Sequence, residues 1–158
     1  MTKTKAQQIM AATEVRAADD VTAAIHDIAA EFEPYIIKQR RHFHKHPELS
    51  LAEERTTSDI ANQLDAMNIP YERPLKTGLV ATLRGTAPDA YREDGTPRRR
   101  ILLRADIDAL PVTEQTGEEF ASVNEGCMHA CGHDCHIAMM LGTLQILRHM
   151  TDDIHGEI

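Results

Sequence analysis

The run Met128-His129-Ala130-Cys131-Gly132-His133-Asp134-Cys135-His136 concentrates side chains that bind metals. Three imidazoles and two thiols fall within the eight residues from His129 to His136, and Cys127 stands just ahead of them. Thiolate and neutral imidazole are the donors that Zn²⁺ and similar ions prefer. Cys131 and His133, separated by the small Gly132, can reach one centre from an extended or turning backbone. Asp134 stands where a helix should begin, so its carboxylate can cap that helix or orient a ligand imidazole through the nitrogen that does not bind metal. A structural reading stays open beside this one. Cys127, Cys131 and Cys135 are each four apart, a helical spacing that suits small buried hydrophobes. The two separated ligand pairs of a closed zinc site are missing, and so is the Cys-x-x-Cys spacing of thiol redox proteins. Packing alone, however, does not account for three histidines in one short run.

A second feature is Leu103-Arg104-Ala105-Asp106-Ile107-Asp108-Ala109-Leu110-Pro111. Alternation along an extended chain sets Asp106 and Asp108 on one face at a strand end, where open α/β sheets place their ligand sites. Two such acids can bind metal through oxygen, hold a histidine ligand or tune a neighbour's acidity. The bland alternative is a solvated acidic turn closed by Pro111. A third feature, Arg40-Arg41-His42-Phe43-His44-Lys45-His46-Pro47-Glu48, is a basic patch with one aromatic; on a chain of net charge −8 it reads as a solvated helix face. His44 and His46 can approach a site in space, which spacing alone does not decide. Arg98-Arg99-Arg100 reads as solvated surface.

These residues need elements to hold them. Apolar positions Val21, Ile25, Ile28, Phe32, Ile36 and Phe43 recur at near-helical spacing, which predicts one helix, or two broken at Pro34, from Asp19 towards His46. Ser50-Leu51-Ala52-Glu53 has the form of a capping box and predicts a helix running to about Met67, stopped by Asn68 and Pro70. Gly78 to Leu83 reads as a strand, and residues 85–100 as a surface loop with Asp94-Gly95 at a turn. Arg99 to Ala105 reads as a buried strand at a central position in a sheet. Ile137, Met140, Leu141, Leu144 and Leu147 form a helical stripe, and Gly156-Glu157-Ile158 looks like the start of a further strand.

A chain of 158 residues, 42% hydrophobic and 27% charged, is the size and balance of one soluble domain. The excess of acid argues against nucleic-acid binding driven by bulk phosphate attraction. No apolar run approaches the roughly 20 residues that cross a bilayer, and no secretory signal precedes the helix. The expectation is a cytoplasmic protein without membrane or nucleic-acid partners, whose three cysteines are thiols or ligands.

Taken together, the motifs resemble one family: the metal-dependent amidohydrolases of zinc-peptidase type that include aminoacylases, hippurate hydrolases, N-acetyldiaminopimelate deacetylases and plant indole-acetyl-amino-acid hydrolases. His44-Lys45-His46-Pro47-Glu48-Leu49-Ser50 resembles the family's His-x-x-Pro-Glu-Leu signature, and Thr77-Gly78-Leu79-Val80-Ala81 is similar to its first strand. Leu103 to Pro111 follows Leu-Arg-Ala-Asp-x-Asp-Ala-Leu-Pro, and Met128 to Asp134 carries Met-His-Ala-Cys-Gly-His-Asp.

The resemblance implies an α/β fold: a three-layer αβα catalytic domain, present here as its amino-terminal part over residues 19–158, behind a polar extension at 1–18 and without the lid or dimerisation domain. It implies two divalent ions, Zn or Mn, in the complete site. Cys131 and His133 fall on family metal ligands, Asp106 on the active-site acid, and Asp108 on that acid if the alignment runs through Pro111. The implied substrate is a small N-acyl amino acid or peptide, and the implied parent enzyme a homodimer. The family's Gln-Pro-Ala-Glu-Glu segment, which supplies the general base and a bridging ligand, and two further histidine ligands belong beyond Ile158. The expectation is therefore a chain that is inactive by itself; the competing expectation is a non-catalytic Cys/His metal-binding or interaction module.

Overall fold

The computed structural model describes residues 18–158. The polar extension expected over 1–18 lies outside them except for Ala18, which belongs to the first helix among the described residues.

That helix, α1 (Ala18–Lys45), is continuous, with Pro34 inside it. Proline removes one backbone donor and crowds the preceding turn; the helix carries through because the next residues are held, Tyr35 against the core and Ile36 against a later helix. Pro47 follows its end. The second helix, α2 (Glu54–Met67), stops where expected, at Asn68 in the left-handed region with φ 57°. Its start differs from the expected capping box. No side chain of Glu53 or Ser50 caps it; the Glu48 carboxylate does, accepting from the Arg55 N–H at 3.2 Å, the Thr56 N–H at 2.7 Å and the Thr56 hydroxyl at 2.8 Å. A carboxylate at a helix N-terminus satisfies orphan donors and complements the helix dipole, so the more distant acid displaces the local serine.

Tyr71–Glu72 (β1) pairs antiparallel with Val80–Ala81 (β2), in the register Tyr71 to Ala81 and Glu72 to Val80. The ladder continues through isolated bridges: Arg84 pairs antiparallel with Glu157, which pairs on its other side in parallel with Arg100. Leu83 and Ile158 exchange both backbone hydrogen bonds, at 2.8 and 3.0 Å. The expected beginning of a strand at Gly156 is thus a short rung between two others.

The third helix, α3 (His133–Arg148), lies against α1, and Gly142 makes the close approach possible: a Cβ there would stand 2.7 Å from the Ile36 side chain. A short 3-10 turn, Thr151–Asp153, follows. The core joins Phe43 of α1, Ile60, Leu64 and Met67 of α2, and Ile137, Leu141 and Leu144 of α3, with Ile69 and Leu83 closing it. Residues 101–107 depart from expectation. They form no strand and are covered only in part: Ile107 packs against the core, but Leu102 is 87% exposed and, with Leu79, Ile137, Met140 and Ile158, borders an apolar cavity of about 310 Å³. The aliphatic run belongs to a covered strand, yet among the described residues only Arg100 gains a ladder partner. No helix among the described residues is long and apolar enough to cross a membrane.

Candidate metal centre

Two hydrogen bonds bring the acidic and the Cys/His motifs together: Leu110 N–H to Met128 O and Met128 N–H to Leu110 O, both 3.0 Å. Beyond Met128 the chain turns through Gly132, whose φ of 78° falls in the left-handed region that glycine enters without a side-chain penalty. His133 is then the first residue of α3. His133 and His136 lie one turn apart on the same helical face, their rings stacked at 5.2 Å between centroids and 25° between planes.

Asp106, His133 and His136 each offer a ligand atom, and these three atoms lie within 4.8 Å of one another. This is the one group of three or more metal-binding side chains among the described residues. Asp108 stands behind it. Its carboxylate accepts from His133 Nδ1 at 2.9 Å, and its backbone carbonyl lies 3.0 Å from the same nitrogen. With the proton on Nδ1, where both oxygens accept it, Nε2 is left as the nitrogen available to a metal. Asp106 takes a 2.7 Å hydrogen bond from Arg104, and this guanidinium holds its carboxyl below the usual carboxylate range, in the ionised form a cation needs. The donor set of one carboxylate and two imidazoles, half exposed, fits a divalent ion with open positions.

Of the residues expected at the site, Asp106 and His133 are together and Asp108 is in contact with them. Cys131 is not among the three clustered atoms; its thiol is exposed, just before Gly132. His136 joins the cluster without having been singled out, although its position three residues after His133 on a helix is a legible signal. The three cysteines are free thiols and differ in surroundings: Cys127 is buried and its pKa pushed up by burial, Cys135 is half-buried and Cys131 exposed. Only Cys135 lies on α3, so no single helical face carries all three. His129 is buried, with no hydrogen-bond partner for either ring nitrogen among the described residues, and burial lowers its pKa and favours the neutral ring.

Behind the cluster lies a second histidine, fully enclosed. His44 of α1, 4% exposed, has Nδ1 at 2.8 Å from Asp134 Oδ2 and Nε2 at 3.1 Å from Glu114 Oε1. Arg40 Nε donates to the same Asp134 oxygen at 2.9 Å. Phe120 closes the group, 4.8 Å from the Arg40 guanidinium and 5.6 Å from the His44 ring. Burial alone would raise the Glu114 pKa, but hydrogen bonds from the Ser122 N–H, Thr116 and His44 outweigh it and hold the group at about 2. Of the two uses expected of Asp134, it orients an imidazole, that of His44 rather than of a clustered histidine.

Residues 102–158 match the family model described as Peptidase family M20/M25/M40. The chain is 46% identical over 124 residues to an N-acyl-L-amino acid amidohydrolase of Geobacillus stearothermophilus, covering 78% of this chain and 31% of that one. It is 42% identical over 132 residues to an N-acetylcysteine deacetylase of Bacillus subtilis, covering 80% of this chain and 32% of the relative. Among solved structures, a Bacillus subtilis protein described as a dinuclear metal-binding peptidase of the M20 family superposes with a TM-score of 0.71 at 40% identity, over 81% of this chain and 34% of that one. The chain thus spans about a third of the length of the curated relatives it matches. The likeness of fold bears out the α/β catalytic-domain expectation for the amino-terminal part.

Proposed function

We propose that this chain is the amino-terminal part of a hydrolase of the M20/M25/M40 peptidase family, to which it is similar, and that it furnishes part of a divalent-metal centre that hydrolyses the amide bond of N-acyl amino acids. The observation that carries this is the meeting of Asp106, His133 and His136 ligand atoms within 4.8 Å, with Asp108 fixing the His133 ring. Cys131 is a further ligand in this reading, reaching the cluster by rotation of the chain at Gly132. Zn²⁺ and Mn²⁺ are the ions proposed, two in a complete site. A bound divalent ion supplies an acidified water and charge stabilisation for the attacked carbonyl. The residues here hold and orient: Asp106 gives an ionised oxygen, His133 and His136 present imidazole nitrogens, and Asp108 keeps the proton on His133 Nδ1. The substrate class is supported by relatives named for N-acyl-L-amino acid and N-acetylcysteine hydrolysis.

Titration of the chain with Co²⁺, followed by visible absorption, tests the centre. Expected is stoichiometric uptake, lost in His133→Ala and weakened in Cys131→Ala, without turnover of N-acetyl amino acids. Uptake that ignores His133→Ala overturns the centre; metal-dependent turnover removed by Cys131→Ala overturns the inactivity of the chain alone. Turnover restored by co-expressing the remaining portion of a relative separates this reading from a non-catalytic metal-binding module.

A further inference from the structure

Asp134 follows His133 directly, yet it faces away from the clustered ligands and into α1. Its carboxylate is 1% exposed and its Oδ2 meets both His44 Nδ1 and Arg40 Nε. His44 in turn meets Glu114, which is anchored by the Ser122 N–H at 2.6 Å and by the Thr116 hydroxyl. Two other stretches of chain, Arg40 and His44 of α1 and the segment from Glu114 to Ser122, therefore close on the first turn of α3. Of the clustered side chains, His133 has a close partner of its own in Asp108 at 2.9 Å, but His136 approaches Asp106 only at 4.0 Å, and the Arg104–Asp106 pair is largely exposed on the arginine side.

We infer that Arg40, His44, Glu114 and Asp134 form a positioning network that holds the first turn of α3 so that His133 and His136 converge on Asp106. This rests on the proposed metal centre. Within the network Oδ2 of Asp134 is engaged by α1 and both His44 nitrogens face carboxylate oxygens, while Oδ1 of Asp134 is buried without a hydrogen-bond partner among the described residues. The network acts through the backbone of one residue, since Asp134 and His133 share a peptide bond, while Asp108 holds the His133 ring from the other side. Two independent clamps on a single ligand restrict both its helix and its rotamer, which is what outer contacts of metal ligands do.

The test uses Asp134→Asn, His44→Gln and Glu114→Gln in the 158-residue chain, read first without metal. In the first two, hydrogen exchange at the Cys135 and His136 amides, which bond Gly132 O at 3.0 and 3.3 Å, is expected to quicken about tenfold. The amides of α2 are expected to stay unchanged, and the ¹⁵N resonance of His133 Nδ1 to shift. Co²⁺ affinity is expected to fall by about ten- to a hundred-fold. Glu114→Gln keeps the His44–Asp134 contact and should give the same pattern in weaker form, which preserves the test if the other variants do not fold. Exchange that quickens equally in α2, or an unmoved first turn of α3, overturns the network as a positioning device, as does unchanged Co²⁺ affinity in a wild-type chain that binds the ion. A wild-type chain that takes up no Co²⁺ overturns the metal centre instead, and the metal-free exchange and ¹⁵N readings still decide the network.

Discussion

His44 of α1 meets the first turn of α3 through Asp134, and His133 belongs to that turn; the two share a chemistry, an imidazole against a carboxylate, but their surroundings differ. The His44 side chain is 5% exposed with both nitrogens engaged; the His133 side chain is 21% exposed with one nitrogen engaged by Asp108. An imidazole with every nitrogen satisfied in a closed site contributes to geometry. One with a nitrogen left over beside an ionised acid contributes to binding. The contrast separates the residues that build this centre from those that hold a ligand in it, and it predicts different consequences for removing each.

The largest stability effect falls on the enclosed side. Asp134→Ala leaves Arg40 and His44 facing a buried position without their shared acceptor, and urea unfolding should show a loss of about 3 kcal/mol; a loss below about 1 kcal/mol would erase the contrast. Next comes Glu114, whose carboxyl titrates at about 2 against an ordinary value of 4.5. A depressed folded-state pKa adds stability that is fully present above the unfolded value and drains away as pH falls through the folded one. The stability difference between wild type and Glu114→Gln should therefore hold above pH 5 and close between about pH 4.5 and pH 2; a gap that persists at pH 2 assigns the effect to packing. On the open side, His133→Ala should cost under about 1 kcal/mol by the same unfolding measurement, while abolishing Co²⁺ uptake. The smallest shift belongs to Asp106→Asn: its partner Arg104 is 83% exposed, so urea unfolding should show no resolvable change in stability, while calorimetric metal titration should show the weakened binding that unfolding does not.

What could be read from the sequence follows the same division. Asp106, Asp108 and His133 could be named from the sequence because short motifs and the family resemblance single them out, whereas alternation alone left a solvated acidic turn open at the two acids. The helices at 18–45, 54–67 and 133–148 were legible from apolar recurrence and turn residues. The enclosed network was not, since His44 lies 90 residues from Asp134 and 70 from Glu114, and no local pattern encodes contacts over such spans. Ser50 and Glu53 satisfy a local rule for a helix start, yet Glu48 supplies the cap, because an ionised acid offers two acceptor oxygens to the same donors. Arg99 to Ala105 has the composition of a covered strand, but composition states a preference for neighbours and does not supply them.

The Glu48 cap also bears on the order in which the molecule assembles. Its hydrogen bond to Thr56 closes a loop of 8 residues, whereas the bond from His44 to Asp134 closes one of 90. By the logarithmic growth of loop-closure entropy the second contact starts about 2 kcal/mol behind the first. During synthesis the corner between α1 and α2 can form before Asp134 has left the ribosome. His44 then waits at the end of a preformed angle, and the arrival of α3 completes, in a single docking event, both the enclosed network and the open cluster beside it.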